Sequence, residues 1–146
     1  CGVDTVMARR MSTNCFGRES DTLFTNAVEF CCADVGEEVL MVIKATDVAG
    51  NMNFCMIRIA VLDTIPPTIT SSPNDTMVSC TVNYLDTAIT GGVKFIDNCP
   101  DDVTVTVIDS NGINSCQVGK IKRTFLVCDK GMNCDADYYG VQSIYI

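Results

Sequence analysis

The chain has 146 residues, 47% of them hydrophobic, and a net charge of −8. Its apolar content suffices for one or two small cores and excludes a disordered tail. An acidic surface repels phosphate backbones, so nucleic acid is not expected as a partner, and cations or basic surfaces are favoured. No apolar run approaches the length of a membrane span, so none is predicted.

Strand signals dominate the chain. Short runs rich in Val, Ile and Thr, separated by Gly, Asn, Asp and Pro, predict an all-β protein without long amphipathic helices. Many short strands with regular turns are typical of antiparallel β-sandwiches. In chain order, the predicted strands are Thr5–Met11, Leu23–Cys32, Glu38–Thr46, Asn53–Leu62, Thr68–Thr70, Thr76–Leu85, Val93–Ile96, Val103–Ile108, Lys120–Cys128 and Tyr138–Ile146.

A domain boundary is predicted near Asp63–Pro67, which divides the chain into residues 1–63 and 64–146. A proline lacks a backbone donor and fixes φ, so neither Pro66 nor Pro67 suits a central strand. The Ile-Pro-Pro sequence predicts a short, stiff linker between two modules.

An internal repeat supports this division. Val127–Cys134 resembles Ala45–Cys55, with a shortened Gly-Asn turn in the second copy. Nothing before Cys1 matches Pro67–Asn98. The first module is therefore expected to lack its opening strands, which either preceding sequence or a neighbouring subunit would supply.

Ten cysteines and no histidine indicate an oxidising compartment. The even count fits five disulfides, whereas zinc is disfavoured because there is neither a Cys-x-x-Cys motif nor a histidine. Sequence does not give the connectivity, and bridges within a module, between modules or between subunits all stay open. The predicted disulfide cysteines are Cys1, Cys15, Cys31, Cys32, Cys55, Cys80, Cys99, Cys116, Cys128 and Cys134.

Several short phrases recur in order along the chain: Ala45–Asn51 followed by Cys55, Val61–Asp63, Pro66–Ile69, Asp97–Cys99, and the Val-Gly pairs at 35–36 and 118–119. Together they resemble hyalin-repeat and related immunoglobulin-like modules of large secreted Bacteroidetes surface proteins. The resemblance implies tandem immunoglobulin-like sandwiches, similar to fibronectin type III and cadherin domains. It also implies an adhesive or spacer role.

Catalysis is not expected. Without histidine there is no ordinary Ser-His or Cys-His nucleophile pair. Calcium is the candidate cofactor, because carboxylates at predicted strand ends are the oxygen ligands that it prefers. The alternative is that each Asp caps its own turn. The candidate ligands are Asp47, Asp63, Asp97 and Asp129, with Asp101 and Asp102 nearby.

Asp-Thr followed by an apolar residue occurs five times, where chance expects about one. In the light of the resemblance, this pattern implies a bacterial O-glycosylation acceptor. The alternative is that Asp-Thr is favourable chemistry for starting a strand. The candidate glycosylated residues are Thr5, Thr22, Thr64, Thr76 and Thr87.

These patterns predict a structural or adhesive repeat segment of a secreted cell-surface protein. The truncated first module and the strand-like end at Val141–Ile146 favour a filament subunit or stalk segment that self-associates, with disulfides joining the subunits. The alternative function is calcium-dependent binding of a surface glycan or a protein.

Overall fold

The computed structural model of the chain describes residues 2–12, 17, 23–110, 112–115, 118–135 and 140–146. It has two compact units, Cys1–Asp63 and Thr64–Ile146, here called unit 1 and unit 2. The division falls at the peptide bond where the sequence places the module boundary. Both units are mainly antiparallel β-sheet. No helix in the described ranges is long and apolar enough to cross a membrane.

The described residues of unit 1 form one antiparallel sheet in the order β1-β2-β3. A 3-10 turn at Cys32–Asp34 precedes the central strand. The strands are β1 (Val3–Arg10), β2 (Glu38–Asp47) and β3 (Met52–Ala60). Alternation along the first half of β2 places Val39 and Met41 in the core and leaves Glu38 and Leu40 exposed.

The predicted strand Leu23–Cys32 does not form. Only Thr25 pairs, through a bridge in which Ala8 and Thr25 exchange two backbone hydrogen bonds of 2.9 Å. The aromatic residues of this segment make side-chain contacts instead. Phe24 lies against Phe54, and the Arg10 guanidinium lies over the ring of Phe30 at 5.6 Å. The aromatic residues that make this segment look like a strand therefore pack against neighbouring side chains and do not belong to a sheet.

In the described part of unit 2 there are two sheets, with orders β4-β6 and β5-β9-β8-β7. A 3-10 turn at Pro100–Asp102 precedes β7. The elements are β4 (Thr68–Ser71), β5 (Thr76–Met77), α1 (Thr87–Thr90), β6 (Lys94–Ile96), β7 (Thr104–Asp109), β8 (Lys120–Cys128) and β9 (Gly140–Tyr145).

The opening segment of unit 2 contributes to both sheets. β4 pairs antiparallel with β6, and β5 pairs in parallel with β9. Pro73 lies between β4 and β5, where its missing donor interrupts the ladder. Strands that change sheets in this way occur at the corners of sandwiches. The β5–β9 pair is an exception to the predicted antiparallel pairing.

The predicted strand Thr76–Leu85 is wrong beyond Met77, because the chain turns at Ser79–Val82 and again at Asn83–Asp86. Asp86 then caps α1, its carboxylate accepting from the backbone N–H of Ala88 at 2.8 Å. A carboxylate at this position satisfies a donor that the first helical turn leaves free.

The core of unit 2 is centred on β8. Ile121, Arg123, Phe125 and Val127 alternate along the strand and are at most 1% exposed. Ile144 of β9 is equally buried. Burial of every second residue shows that this face of the sheet is fully covered.

Units 1 and 2 share one three-strand arrangement, β1-β2-β3 and β7-β8-β9. In each unit the central strand pairs antiparallel with both neighbours. The registers also correspond: Val39↔Ile59 matches Ile121↔Ile144, and Ile43↔Cys55 matches Phe125↔Gly140. The chain therefore contains a repeat of structure.

The turns that follow the two central strands are also alike. The backbone N–H of Asp47 donates to the Asn51 carbonyl at 3.0 Å, and two Asn51 donors reach the Asp47 carboxylate at 2.8 Å. Asp129 and Asn133 form the same set of bonds, at 3.0, 2.8 and 2.7 Å. The two turns have equal length, so the prediction of a shortened second turn is wrong.

Candidate functional site

The outer edge of β3 is the candidate functional site. In an antiparallel pair, alternate residues direct their backbone groups toward the partner strand and the others direct them away. The backbone N–H of Asp47 donates to the Asn51 carbonyl at one end of the β2–β3 pair, and the backbone N–H of Val61 donates to the Glu37 carbonyl at the other. Residues of β3 that alternate with these bonded positions direct their backbone N–H and C=O groups away from β2. They include Met56, Arg58 and Ala60. No other described strand pairs with this edge.

Apolar side chains are exposed along the same strand. Met52, Phe54 and Met56 are each more than half exposed, and the Cys55 thiol is free and exposed. An unpaired strand edge with apolar side chains is a template for pairing with another chain. A monomer normally covers such an edge with charges, bulges or a loop.

Two cations and two aromatic rings meet beside β3. The Phe24 and Phe54 ring centroids are 5.9 Å apart. The Arg9 guanidinium lies 5.3 Å and the Lys44 ammonium 5.1 Å from the Phe24 centroid. Such contacts contribute about 0.5–1 kcal/mol each at exposed sites. They hold Phe24 against the sheet and leave the strand edge open.

Unit 2 differs at the matching edge. There β5 pairs with β9, with Thr76 opposite Ile144 and Met77 opposite Tyr145. By register, Ile144 corresponds to Ile59 of unit 1. Ile144 is fully buried, whereas Ile59 is partly exposed. The edge that one unit covers is open in the described part of the other.

The predicted calcium ligands Asp47 and Asp129 serve their own turns, as the alternative interpretation expects. Hydrogen bonds from Asn51, and from the backbone N–H of Ala49, lower the pKa of Asp47 below its ordinary value. The carboxylate of Asp129 receives the matching bonds from Asn133. These oxygens are already engaged as acceptors.

The other two candidate ligands lie elsewhere. Asp97 accepts from the backbone N–H of Cys99 at 2.8 Å, and its buried Oδ1 has no hydrogen-bond partner among the described residues. Asp63 is partly buried at the end of unit 1. Within the described ranges, no three Cys, Asp, Glu or His residues are grouped closely enough to hold a metal ion. Calcium binding stays a prediction.

One disulfide joins Cys128 and Cys134, whose Cα atoms are 4.1 Å apart on either side of the Asp129–Asn133 turn. By register the corresponding pair in unit 1 is Thr46 and Met52. The counterpart of Cys55 is Gly140, so the sequence match between Cys55 and Cys134 is wrong.

The remaining described cysteines divide into a disulfide-bonded group and a free group. Cys31, Cys32 and Cys99 are each disulfide-bonded. Cys55 and Cys80 are free, exposed thiols, which differs from the prediction that every cysteine is paired. Cys80 borders a cavity of about 300 Å³ that Tyr84 and Ile146 also line. Three predicted disulfide residues lie outside the described residues: Cys1, Cys15 and Cys116.

The candidate glycosylation residues are scattered over both units. Thr5, Thr64 and Thr87 are exposed, whereas Thr76 is partly buried within β5. Thr22 lies outside the described residues. Exposure of the hydroxyl is a requirement for modification, so the first three meet it more fully than Thr76. Glycosylation stays a prediction.

Two buried arginine networks were missed at the sequence level. Arg10 donates to the Asp34 carboxylate at 2.8 and 2.5 Å, and this hydrogen bonding lowers the pKa of Asp34. Arg123 donates to both oxygens of Asp109 at 2.8 Å and to the Thr90 hydroxyl at 2.6 Å. The alternation of β8, which puts Arg123 on the face of Ile121 and Phe125, is the signal that reveals the second network.

No family model matches the chain, and a search of curated proteins also finds no match.

Proposed function

We propose that this chain is a structural repeat segment of an extracellular surface protein, either a filament subunit or part of a long adhesive stalk. Its modules would be immunoglobulin-like sandwiches stabilised by disulfides. The observation that carries the proposal is the shared three-strand arrangement of units 1 and 2, with corresponding registers and the same Asp–Asn turn. Arrays of one repeated module are typical of spacers and fibres.

Further observations support an extracellular, mechanical role. The disulfide between Cys128 and Cys134, and the bonded state of three other cysteines, fit an oxidising compartment. In unit 2 the opening segment feeds two sheets, as in immunoglobulin-like sandwiches. The open edge of β3 and the free thiol of Cys55 offer a surface for self-association.

Electron microscopy and sedimentation of the non-reduced protein test this proposal. We expect regular filaments or a distribution of oligomers, and shorter species after reduction if disulfides link the copies. A single monomeric species at all concentrations without reductant would contradict self-association. The same measurements with calcium and with a chelator, together with a cell-binding assay, test the alternative. Calcium-dependent binding to cells without assembly would favour a ligand-binding module.

A further inference from the structure

We propose that the outer edge of β3 receives an extended strand from another polypeptide, added in parallel as β5 adds to β9 in unit 2. The partner is defined by chemistry: an extended segment resembling Asn74–Val78, in which an aspartate precedes a Thr-Met pair. The inference deepens the proposed function, on which it rests, by naming the contact through which such modules join.

Unit 2 provides the template for this contact. Besides the ladder of Thr76 and Met77, polar bonds hold β5 at both ends. These bonds are Gln142 Nε2 to the Asn74 carbonyl at 2.7 Å, the Ser143 N–H to the Asp75 carboxylate at 2.7 Å, and the Val78 N–H to the Tyr145 carbonyl at 2.9 Å. An incoming strand of the same chemistry therefore has a defined register.

The backbone groups needed for two of these bonds are present in unit 1. By register, Ser143 corresponds to Arg58 and Tyr145 to Ala60. The N–H of Arg58 and the carbonyl of Ala60 are directed away from β2, because these residues alternate with those that bond to β2. The N–H of Arg58 can donate to the aspartate carboxylate of the incoming strand. The carbonyl of Ala60 can accept from the N–H of the residue that corresponds to Val78.

Charge and burial favour the same strand. An incoming aspartate would lie beside the guanidinium of Arg58, where unit 2 has the neutral Ser143, so unit 1 adds an ionic attraction. The Arg58 side chain is 75% exposed, and its contact with Glu38 at 3.4 Å is a solvated ion pair of small energy. The strand would also shield Ile59, whose counterpart Ile144 is fully buried.

Hydrogen exchange on the full chain with a capped peptide of residues 66–79 tests the inference. This peptide is the natural β4–β5 segment, PPTITSSPNDTMVS. We expect saturable slowing of exchange at the amides of Arg58 and Ala60. A peptide in which the nitrogen corresponding to Val78 is methylated lacks the terminal donor and should bind more weakly. A scrambled peptide should leave exchange unchanged.

A charge reversal separates strand addition from general stickiness. Arg58→Glu should weaken binding of the peptide about tenfold, because an attraction for the aspartate becomes a repulsion. Lys130→Glu makes the same charge change in the exposed Asp129–Asn133 turn, away from the strands that pair with residues 66–79, and should leave the affinity unchanged. Replacing the aspartate of the peptide by asparagine should remove most of the difference between wild type and Arg58→Glu.

The outcomes are distinct. Unchanged exchange at Arg58 and Ala60 under saturating peptide overturns the inference, and so does slowing restricted to β9, which means that the peptide replaced β5. If filaments nevertheless form, the proposed function stands without this contact. If the peptide binds β3 but the chain never assembles, the strand-receiving edge stands and the filament is refuted.

Discussion

At the scale of single residues, the two similar turns differ in the cost of one backbone conformation. The fourth turn residue has a positive φ in both units, 86° at Gly50 and 63° at Met132. This conformation costs a side-chain-bearing residue about 1–2 kcal/mol, and little strain falls on glycine. The glycine of the second turn, Gly131, lies one position too early to relieve it.

Met132→Asn is therefore expected to stabilise unit 2 by about 1 kcal/mol, since asparagine tolerates the left-handed region. Met132 is 80% exposed, so its removal sacrifices little packing. Chemical denaturation followed by signals from unit 2 measures the change. Lys130→Asn, in the same turn without a positive φ, is the control and should not stabilise. Equal stability of Met132→Asn and wild type would show that the turn carries no strain.

At the scale of elements, local sequence patterns predict the central strands correctly. They fail for segments whose conformation depends on tertiary contacts. The predicted strand Lys120–Cys128 agrees with β8 at both ends, because alternation and flanking turns mark it. Phe24 and Phe30 give their segment strand-like composition, yet they pack against Phe54 and Arg10. The open edge of β3 is a property of pairing between distant segments, which local sequence does not encode.

The disulfide of unit 2 can be transferred to unit 1. Thr46 and Met52 occupy the positions of Cys128 and Cys134, next to the hydrogen-bonded pair of Asp47 and Asn51. Thr46→Cys with Met52→Cys should therefore form a bridge and stabilise unit 1 by about 2 kcal/mol.

Peptide mapping under non-reducing conditions identifies the bridge, and unfolding with and without reductant measures its effect. A background of Cys55→Ser prevents the nearby free thiol from competing. The single variant Thr46→Cys is the control and should show no gain. Two free thiols at positions 46 and 52 after oxidative refolding would disprove the register correspondence between the turns.

At the scale of the whole molecule, acid acts through carboxylates whose pKa values folding lowers. Among the described residues, the resolved shifts belong to Asp34 and Asp47, both of unit 1, and both lie below the ordinary value of 3.8. A lowered pKa in the folded state means that the unfolded chain binds protons more readily. The stabilisation is complete above about pH 5 and is lost as the pH falls below 3.8 through the folded-state pKa values.

We therefore expect unit 1 to lose stability steadily as the pH falls below about 5. Asp47→Asn should make this dependence shallower, because it removes one of the two shifted groups. Asp4→Asn removes an equal charge on exposed β1 and serves as the control. Residue-resolved hydrogen exchange across the pH range measures the effect in each unit. A slope unaffected by Asp47→Asn would show that its turn contributes nothing to acid sensitivity.

The open edge of β3 and the covered edge of β9 together determine how many strand-receiving edges each copy offers. In unit 2, β5 already occupies the edge of β9, so within the described residues each copy offers one receiving edge of this kind. If the strand that β3 receives comes from another copy, donor and receiver are unlike surfaces, and contacts of this type either close into rings or continue as helical filaments. An assembly built through β3 would therefore be unbranched and would have two different ends, with growth at each end governed by a different surface.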